Sequence, residues 1–527
     1  MFSIQRRRLG LTFFKTTSFL SGIPRRLFAN SIKNKKPITC VLSPTCRYAF
    51  VASAAFSGGI LASYLFYQQS PSTTTEAVKK PVDIQPVNVN SLRDTKAACH
   101  VPSLSIEQSN ERLRANEAEY VIKHLGDCHY HRNTLPSNSV TEDAHEEAVV
   151  KLSSGHFLGL WGIYDGHMGS AMSTALSKTL TSAVAIELDK VLSPGVNFSV
   201  DTVMRTIKHT FLKVDDYFVW QRHEELLQHT PPDSSITRDP LSLPATNLLQ
   251  EALAGSCALL SIYDYQSRLF YVAVAGDSRA VLGRRSSKNT WTAKALSRDQ
   301  FSFNPDEKAR IQSQHPGELD VLKKGRLLGL LEPTRAFGGM YFKWTDEMQS
   351  MIRTKYLNDH NQARQTVPNT TPPYLTAEPV VTATSIRPEK DDFIVMASDG
   401  LWELLSNEEV VGLVGQWIDG QKDKCDVGGK GIVITASTSD STEQKGPDSN
   451  RLGDFSPSER FTCEDSNAAT HLLRNALGGK LHQGQMFRAM LTLSSPLSRA
   501  YRDDLTVMVL LFGEMPSDGG SITSSSA

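Results

Sequence analysis

The chain has 527 residues, of which 40% are hydrophobic and 21% are charged. This composition is typical of soluble globular domains, so it excludes a wholly disordered chain and a polytopic membrane protein. Its 56 basic residues equal its 56 acidic residues, and this balance creates no global positive field that would favour a nucleic-acid partner.

The N-terminal part of the sequence is basic and then apolar. No acidic residue occurs before Glu76, and the first 47 residues are rich in Lys, Arg, Ser and Thr, which is typical of a mitochondrial presequence. Residues 48–67 follow without a charge and are long enough to cross a bilayer as a helix. The sequence therefore predicts a presequence over 1–47, a transmembrane segment over 48–67 that tethers the chain to the mitochondrial inner membrane, and a polar linker over 68–105.

Short apolar runs bounded by turn residues predict buried strands in the following part of the chain. These runs cover residues 157–164, 258–263, 269–275, 280–283, 393–397 and 505–512. A turn joins the second and third runs as a hairpin, and the fourth run is expected to resume the third after a short break. Helical periodicity is present over 169–187, 203–228, 306–314 and 467–477. Hairpin-like groups of strands with separate helices predict an α+β fold with antiparallel sheets and helices packed outside.

The strands and helices belong to one predicted domain over residues 106–515. Two stretches rich in Pro, Gly, Ser and charged residues, near 229–246 and 419–460, are predicted as loop insertions, and 516–527 as a disordered tail. The sequence contains neither of the glycine-rich loop motifs that cradle nucleotide phosphates.

Acidic residues lie at the ends of several predicted strands: Glu142, Asp143, Asp165, Asp277, Asp399, Asp503 and Asp504. Several carboxylates at one rim of a sheet repel one another unless cations neutralise them. Ligation by oxygen atoms favours hard divalent ions such as Mg²⁺ or Mn²⁺. A single Asp-Gly pair is more often a turn than a ligand, so the metal-site prediction depends on the joint pattern.

The motifs around these acids resemble those of the metal-dependent protein phosphatases of type 2C, the PPM family. The matching stretches occur in the family's order at 141–143 (TED), 164–169 (YDGHMG), 276–280 (GDSRA), 335–338 (RAFG), 397–403 (ASDGLWE) and 502–506 (RDDLT). Further stretches at 325–331, 373–379 and 464–473 are similar to the mitochondrial pyruvate dehydrogenase phosphatases within that family. The resemblance implies a protein serine/threonine phosphatase with a central β-sandwich of two antiparallel sheets flanked by helices.

The resemblance also implies a site in which two Mg²⁺ or Mn²⁺ ions activate water for in-line attack on a phosphoserine. The implied metal ligands in this sequence are Glu142, Asp143, Asp165, Gly166, Asp399 and Asp503, with Asp165 bridging the ions. Asp504 is the less favoured member of its pair, because the motif's ligand directly follows Arg502. Asp277 is a candidate for a third, weaker metal, and its alternative role is an ion pair with Arg279 in a hairpin.

The resemblance assigns His167 as the general acid that protonates the leaving serine oxygen. The alternative role of His167 is to cap the helix that follows it. Asn138 stands where many family members have a phosphate-binding arginine, and it is the candidate phosphate-binding residue. The pyruvate dehydrogenase phosphatases also lack that arginine. Gly339 stands where the family usually has an aspartate. The missing carboxylate argues against a third metal at this site.

The subgroup resemblance implies that the substrate is the phosphorylated alpha subunit of pyruvate dehydrogenase, whose dephosphorylation reactivates the complex. Two alternatives stay open: a phosphatase of other mitochondrial phosphoproteins, and a catalytically weak scaffold tethered to the membrane. The side of the inner membrane is also open. A pyruvate dehydrogenase substrate requires the matrix, whereas a presequence followed by a stop-transfer helix often leaves a domain in the intermembrane space.

Overall fold

The computed structural model describes residues 103–193, 199–229, 243–357, 369–422, 437–438 and 457–512. The predicted presequence, membrane segment and tail lie outside these residues, as do most of the predicted linker and of the two insertions. Helices extend into the ends of both predicted insertions, at residues 243–246, 419–422 and 457–460. Within the part of the chain that is described, no helix is both long and apolar enough to span a bilayer.

Two large β-sheets form the centre of the fold. In chain order, the strands are β1 (Ala118–Ile122), β2 (Cys128–Leu135), β3 (Ala144–Lys151), β4 (Phe157–Tyr164), β5 (Gly166–His167), β6 (Gly255–Ser256), β7 (Ala258–Asp264), β8 (Leu269–Ala275), β9 (Arg279–Arg285), β10 (Trp291–Ala295), β11 (Leu322–Lys323), β12 (Arg326–Leu327), β13 (Phe337–Gly338), β14 (Val380–Ser385), β15 (Phe393–Ala397), β16 (Ser437–Thr438) and β17 (Leu505–Leu511). The seven-stranded sheet has the order β1-β2-β17-β15-β9-β10-β16, and the five-stranded sheet has the order β14-β8-β7-β4-β3. Neighbouring strands in these two sheets are antiparallel except β10 and β16, which pair in parallel at one edge.

α-Helices pack on the outer faces of both sheets and also against one another. In chain order, they are α1 (Ile106–Arg114), α2 (Ala171–Val191), α3 (Val200–Asp216), α4 (Arg222–His229), α5 (Leu243–Leu253), α6 (Pro305–Gln314), α7 (Asp346–Lys355), α8 (Asp399–Trp402), α9 (Asn407–Lys422), α10 (Pro457–Arg460), α11 (Ala468–Ala476) and α12 (Leu481–Thr492). A π-helical turn at Tyr217–Gln221 joins α3 to α4.

Alternating side chains along each strand divide the core into layers. In β15, Ile394 and Met396 pack between the two sheets, whereas Phe393 and Val395 belong to the cluster that includes α9 and α11. On the other side, Leu260 of β7 belongs to a cluster that includes α2 and α3. Two sheets between two helical layers confirm the predicted α+β sandwich.

The prediction that the run at 280–283 continues the strand at 269–275 is wrong, because β8 and β9 belong to different sheets. The chain leaves the five-stranded sheet after Ala275, turns at Gly276 with φ at +127°, and enters the seven-stranded sheet as β9. A Cβ atom on residue 276 would also collide with Sγ of Cys257. Only glycine satisfies both conditions, so this residue lets the chain cross between the sheets.

The strand registers bring the predicted acidic residues to one end of the sheets. Residue 165 follows β4, residue 277 follows β8 and residue 399 follows β15, while residues 142–143 precede β3 and residues 503–504 precede β17. A small sheet of the order β13-β6-β5 borders this end. The acids that are far apart in sequence therefore share one region of the fold.

Candidate metal centre

Three aspartates meet at this end of the sheets. Asp165, Asp277 and Asp399 each offer one carboxylate oxygen, and the three oxygens all lie within 4.8 Å of one another. Asp165 and Asp399 were predicted as metal ligands. The structure also brings Asp277, predicted only as a candidate for a third metal, into the same group.

Burial and mutual repulsion perturb these three carboxyl groups. Burial raises the pKa of Asp165 well above its usual value, and the negative charges of Asp399, Asp143 and Asp277 add to the rise. Oδ1 of Asp399 is buried and has no hydrogen-bond partner among the described residues. Buried, mutually repelling oxygen donors require a positive charge, and an all-carboxylate set of donors fits a hard divalent cation.

The alternative role of Asp277, an ion pair with Arg279, is wrong. Nε of Arg279 donates to Oδ1 of Asp299 at 2.8 Å, and Nη1 donates to Oδ1 of Asn407 at 2.9 Å. Asp277 instead accepts a hydrogen bond at Oδ1 from the thiol of Cys257 at 3.2 Å.

Sequence reasoning missed the contribution of Cys257. Besides its thiol contact with Asp277, its backbone N–H donates to the carbonyl of Asp165 at 2.8 Å. Cys257 thus connects two of the three clustered aspartates. Nothing in the sequence around Cys257 indicates this role, because it depends on the break between β8 and β9.

Asp143 lies next to the cluster and connects three strand ends. Its Oδ2 accepts hydrogen bonds from Oγ of Ser398 at 2.9 Å and from Oγ1 of Thr506 at 2.7 Å. Burial raises the pKa of Asp143 to about 7, and the charges of Asp504 and Asp399 contribute to the rise. The predicted ligand Asp143 is therefore held beside Asp399 by hydroxyl donors.

Glu142 and Gly166, two further predicted ligands, are in direct contact. The carbonyl oxygen of Glu142 fills the space that a Cβ atom on residue 166 would need, so only glycine fits there. The same carbonyl accepts a hydrogen bond from Oγ of Ser173 at 2.5 Å, and Oε1 of Glu142 accepts one from the backbone N–H of Gly169 at 2.6 Å. The loop after Asp165 and the residue before Asp143 are thereby fixed against each other.

Asp503 lies at the edge of the site but is not a member of the three-carboxylate group. Its carboxylate forms an ion pair with Arg499 and accepts the backbone N–H of Asp504 at 2.6 Å. A Cβ atom on Gly400 would lie 3.4 Å from Cβ of Asp503, which places Asp503 beside the residue that follows Asp399.

Asp504 and Asn138 hold the loop around Glu142 in place. The carboxylate of Asp504 accepts backbone N–H bonds from Asn138 at 3.2 Å and from Glu142 at 2.8 Å. The side-chain amide of Asn138 donates to Oε2 of Glu142 at 3.1 Å and to Oδ2 of Asp504 at 3.3 Å. Asp504 therefore stabilises this loop, and its lower rank than Asp503 as a metal ligand stays a prediction. The Asn138 amide thus donates both of its hydrogen bonds to carboxylates in this structure. Its predicted contact with phosphate stays a prediction.

His167 lies on β5, directly opposite Gly255 of β6. A Cβ atom on residue 255 would collide with Nε2 of His167, so glycine makes room for the imidazole ring. Burial of the ring, together with the positive charge of Lys343, lowers the pKa of His167 to about 4. The helix-capping alternative is wrong, since Ser170 is the N-cap residue of α2 and His167 belongs to a strand.

Gly339 follows β13 and has a left-handed backbone, with φ at +63°. Its N–H donates to the carbonyl of Ala254 at 2.7 Å, and a Cβ atom there would lie 2.8 Å from Cδ2 of Leu375. This conformation favours glycine. The effect of Gly339 on a third metal stays a prediction.

Comparison with known proteins identifies the family. The model of the protein phosphatase 2C family matches residues 126–428, more than half of the chain. The chain belongs to the protein phosphatase 2C family. A protein phosphatase 2C homolog of Schizosaccharomyces pombe is 36% identical to this phosphatase 2C over 420 residues, which cover 79% of this chain and 87% of that protein.

Two further relatives are named for their substrate. The mitochondrial pyruvate dehydrogenase (acetyl-transferring) phosphatase 1 of Saccharomyces cerevisiae is 37% identical over 425 residues, covering 76% of this chain and 71% of that protein. The phosphatase of the same name from Rattus norvegicus is 31% identical over 468 residues, covering 78% of this chain and 83% of that protein. These similarities confirm the resemblance on which the sequence analysis depended.

This phosphatase 2C is therefore a metal-dependent protein serine/threonine phosphatase that acts on a phosphoprotein. The cluster of Asp165, Asp277 and Asp399 is its candidate metal centre, since these oxygen donors lie together at the end of the sandwich.

Proposed function

We propose that this enzyme is a mitochondrial phosphatase that removes phosphate from a phosphoserine of the pyruvate dehydrogenase alpha subunit and thereby reactivates the complex. The observation that carries this proposal is the 37% identity over 425 residues to the mitochondrial pyruvate dehydrogenase phosphatase 1 of yeast. The rat enzyme of the same name supports it at 31% identity over 468 residues.

The proposed cofactors are two Mg²⁺ or Mn²⁺ ions. Their ligands would be Asp165, Asp399, Asp503 and the carbonyl oxygen of Gly166, with Glu142 and Asp143 acting directly or through waters. When bound, such ions lower the pKa of water and offset the charge of a phosphoryl group. The cluster of Asp165, Asp277 and Asp399 supports this assignment and favours a direct role for Asp277 in the same centre.

His167 would supply the proton for the leaving serine oxygen. Its low pKa, near 4, keeps the imidazole neutral at neutral pH in the absence of substrate. An anionic phosphoryl group beside the ring would raise this pKa, because a nearby negative charge favours the protonated form. The fixed position of His167 against Gly255 would orient the ring for this transfer.

Release of phosphate from the phosphorylated pyruvate dehydrogenase complex tests the proposal. We expect the wild-type enzyme to release phosphate with Mg²⁺ or Mn²⁺ and to stop when a chelator is added. The folded variant Asp399→Asn is the matched control and should be inactive. Hydrolysis of phosphoserine peptides but not of the complex would point to another mitochondrial phosphoprotein. Failure on every phosphoserine substrate would instead favour the catalytically weak scaffold.

The proposed location is the mitochondrion, with residues 48–67 tethering the enzyme to the inner membrane. The basic leader over 1–47 and the names of the relatives support this location. A pyruvate dehydrogenase substrate requires that the catalytic domain faces the matrix. Protease treatment of mitoplasts, in which only the outer membrane is open, should therefore leave the domain intact. Digestion would place it in the intermembrane space and exclude this substrate.

A further inference from the structure

A half-exposed arginine stands beside the candidate metal centre. Arg499 lies in the 3-10 turn Ser498–Ala500, and its guanidinium pairs with Asp503, four residues further on. The Arg499 side chain is 44% exposed. Because Asp503 lies beside the residue that follows Asp399, Arg499 puts a positive charge at the rim of the acidic cluster.

The turn that carries Arg499 is fixed to the loop that carries Asn138 and Glu142. Oγ of Ser498 donates to the carbonyl of Ser137, and Nη2 of Arg502 donates to the carbonyl of Pro136 at 2.7 Å. The backbone N–H of Arg502 donates to the carbonyl of Ser498 at 3.0 Å, which closes the turn. These contacts join residues that are more than 360 positions apart and hold the Arg499 backbone in place next to the site.

Four other cations of the described residues around this end of the sheets are buried and engaged. They are Arg279 with Asp299, Arg335 with Glu307, Lys343 with Asp215, and Arg502 with the carbonyls of Leu135 and Pro136. Each of these four is less than 10% exposed. Breaking such a buried pair to bind substrate would leave the partner carboxylate or carbonyl without its donor, which is costly. Arg499 differs, because it is accessible and its partner lies at the metal centre.

A phosphoserine substrate brings a dianionic group to this site. Guanidinium groups bind phosphate through paired N–H donors, and such charge-assisted hydrogen bonds are about twice as strong as neutral ones. The side-chain amide of Asn138 is neutral and already donates to two carboxylates, at 3.1 and 3.3 Å. Asn138 therefore offers neither a positive charge nor a free donor for the phosphoryl group.

We propose that Arg499 binds the phosphoryl group of the substrate and that Asp503 is its partner when no substrate is bound. The proposal rests on the phosphatase function of the site and names the residue that supplies its positive charge. It also gives Asp503 two roles: it holds the guanidinium at the rim of the site, and it is a proposed metal ligand. The positive charge of Arg499 is near enough to Asp399 to oppose the rise in pKa that burial causes in that carboxyl group.

Two substitutions at Arg499 and one control test the proposal. Arg499→Gln removes the charge, and Arg499→Lys keeps the charge but loses the paired donors. The control is Arg268→Gln, because Arg268 forms an exposed ion pair with Glu389 and lies directly before β8, at the strand end opposite Asp277. The measurements are KM and kcat for a phosphoserine peptide with Mn²⁺, the inhibition constant of inorganic phosphate, and the shift in Tm that inorganic phosphate produces.

We expect Arg499→Gln to raise both KM and the inhibition constant of phosphate by about tenfold to a hundredfold, the size of effect typical of a lost hydrogen bond to a charged group. The phosphate-induced shift in Tm should shrink to near zero. Arg499→Lys should recover part of the loss, and Arg268→Gln should match the wild type. If the glutamine variant does not fold, the lysine variant carries the test, with an expected rise of severalfold in the inhibition constant.

The proposal is overturned if Arg499→Gln keeps KM and the phosphate inhibition constant within twofold of the wild type. It is also overturned if the control changes both constants as much. These outcomes are separate from failure of the proposed substrate. An enzyme that hydrolyses the peptide but not the pyruvate dehydrogenase complex still tests Arg499, and the Tm shift with phosphate tests Arg499 even where no turnover is seen.

Discussion

The carbonyl oxygen of Glu142 occupies the space in which a side chain on Gly166 would begin. Oγ of Ser173 lies 2.8 Å from the same point, so an added methyl group meets both a backbone carbonyl and a hydroxyl. Gly166→Ala must therefore displace the loop that carries two proposed ligands. We expect a destabilisation of about 1–3 kcal/mol and a loss of about a hundredfold in kcat, as measured by urea unfolding and phosphopeptide hydrolysis.

Gly420→Ala is the matched control for that substitution. Among the residues that the structure describes, no atom outside the local helix lies within 4 Å of a Cβ atom on residue 420, which is in α9. The change should leave kcat unaltered and raise the free energy of unfolding by up to about 1 kcal/mol, because alanine favours the helix. Equal losses of activity in the two variants would contradict the steric explanation.

The acidic cluster predicts how the stability of the metal-free enzyme depends on pH. Burial raises the pKa of Asp143 from 3.8 to about 7 in the folded state, and burial also raises the pKa of Asp165 well above its usual value. As the pH rises above about 4, the unfolded chain loses these protons first, so folding becomes less favourable across this range. In urea unfolding with a chelator, the contribution of these carboxyl groups to the free energy of unfolding should therefore fall from pH 5 to pH 7, with a sign opposite to that of His167.

Divalent metal should reverse this loss. At a hundred times its Kd, Mg²⁺ or Mn²⁺ should stabilise the folded state by about 2.7 kcal/mol at pH 7. Asp399→Asn removes one of the repelling charges, so the metal-free variant should be more stable than the wild type at pH 7 and should gain less from metal. An equal gain from metal in both proteins would exclude Asp399 as a ligand.

The sequence predicted strands well where burial is continuous and poorly where it is not. The runs at 157–164 and 393–397 have the bounds of β4 and β15, because both strands are apolar on both faces. β2 was missed, since its sequence CHYHRNTL contains four charged or strongly polar residues. Those side chains find distant partners: Asn133 donates to the carbonyl of Leu113 at 2.8 Å, and His131 accepts the N–H of Ala468 at 3.0 Å. Such partners exist only after folding, so no local pattern reveals them.

The acids of the site were predictable because each follows or precedes a strand within a family motif. The connections among them were not. The thiol of Cys257 reaches Asp277 only because the chain crosses between sheets at Gly276. The turn that carries Arg499 is anchored to Ser137, and that contact spans 361 positions in the sequence. Motifs therefore identified the candidate ligands, whereas the contacts among them and the surrounding charges required the structure.

Glu307 provides a second test of pH dependence, with the opposite sign. Its Oε1 accepts from Nη2 of Arg335 at 2.6 Å and its Oε2 from Nη2 of Arg310 at 2.7 Å. Burial alone would raise the pKa of Glu307, but these arginines lower it to about 2. The resulting stabilisation is present above about pH 4.5 and is lost as the pH falls toward 2.

Glu307→Gln should therefore cost about 3–5 kcal/mol at pH 7, because it leaves the buried Arg335 without a counter-ion. The difference from the wild type should shrink as the pH falls from 4.5 to 2 in urea unfolding experiments. Glu389→Gln, which affects only an exposed pair with Arg268, should change stability by less than about 1 kcal/mol. A difference in the free energy of unfolding that stays constant from pH 4.5 to pH 2 would refute the assignment of the low pKa to Glu307.

The buried ion pair of Asp215 and Lys343 supports the small sheet that carries His167. Nζ of Lys343 lies 2.7 Å from both carboxylate oxygens of Asp215, and Oδ1 of Asp215 also accepts the N–H of Gly338 at 2.9 Å. Gly338 belongs to β13, which pairs with β6, and β6 pairs with the strand that carries His167. Asp215→Asn should therefore destabilise the fold by about 3–5 kcal/mol and should also lower kcat.

A double-mutant cycle with Asp215→Leu and Lys343→Met measures the interaction energy between the two charged side chains. Burial raises the pKa of Asp215 and lowers that of Lys343, so desolvation opposes both charges even though they are in contact. The double variant should therefore lose less free energy of unfolding than either single variant, since neither charge is then left unpaired. Two single effects that simply add would show that the charges act independently. In that case, the small sheet beside His167 would be held by backbone pairing alone.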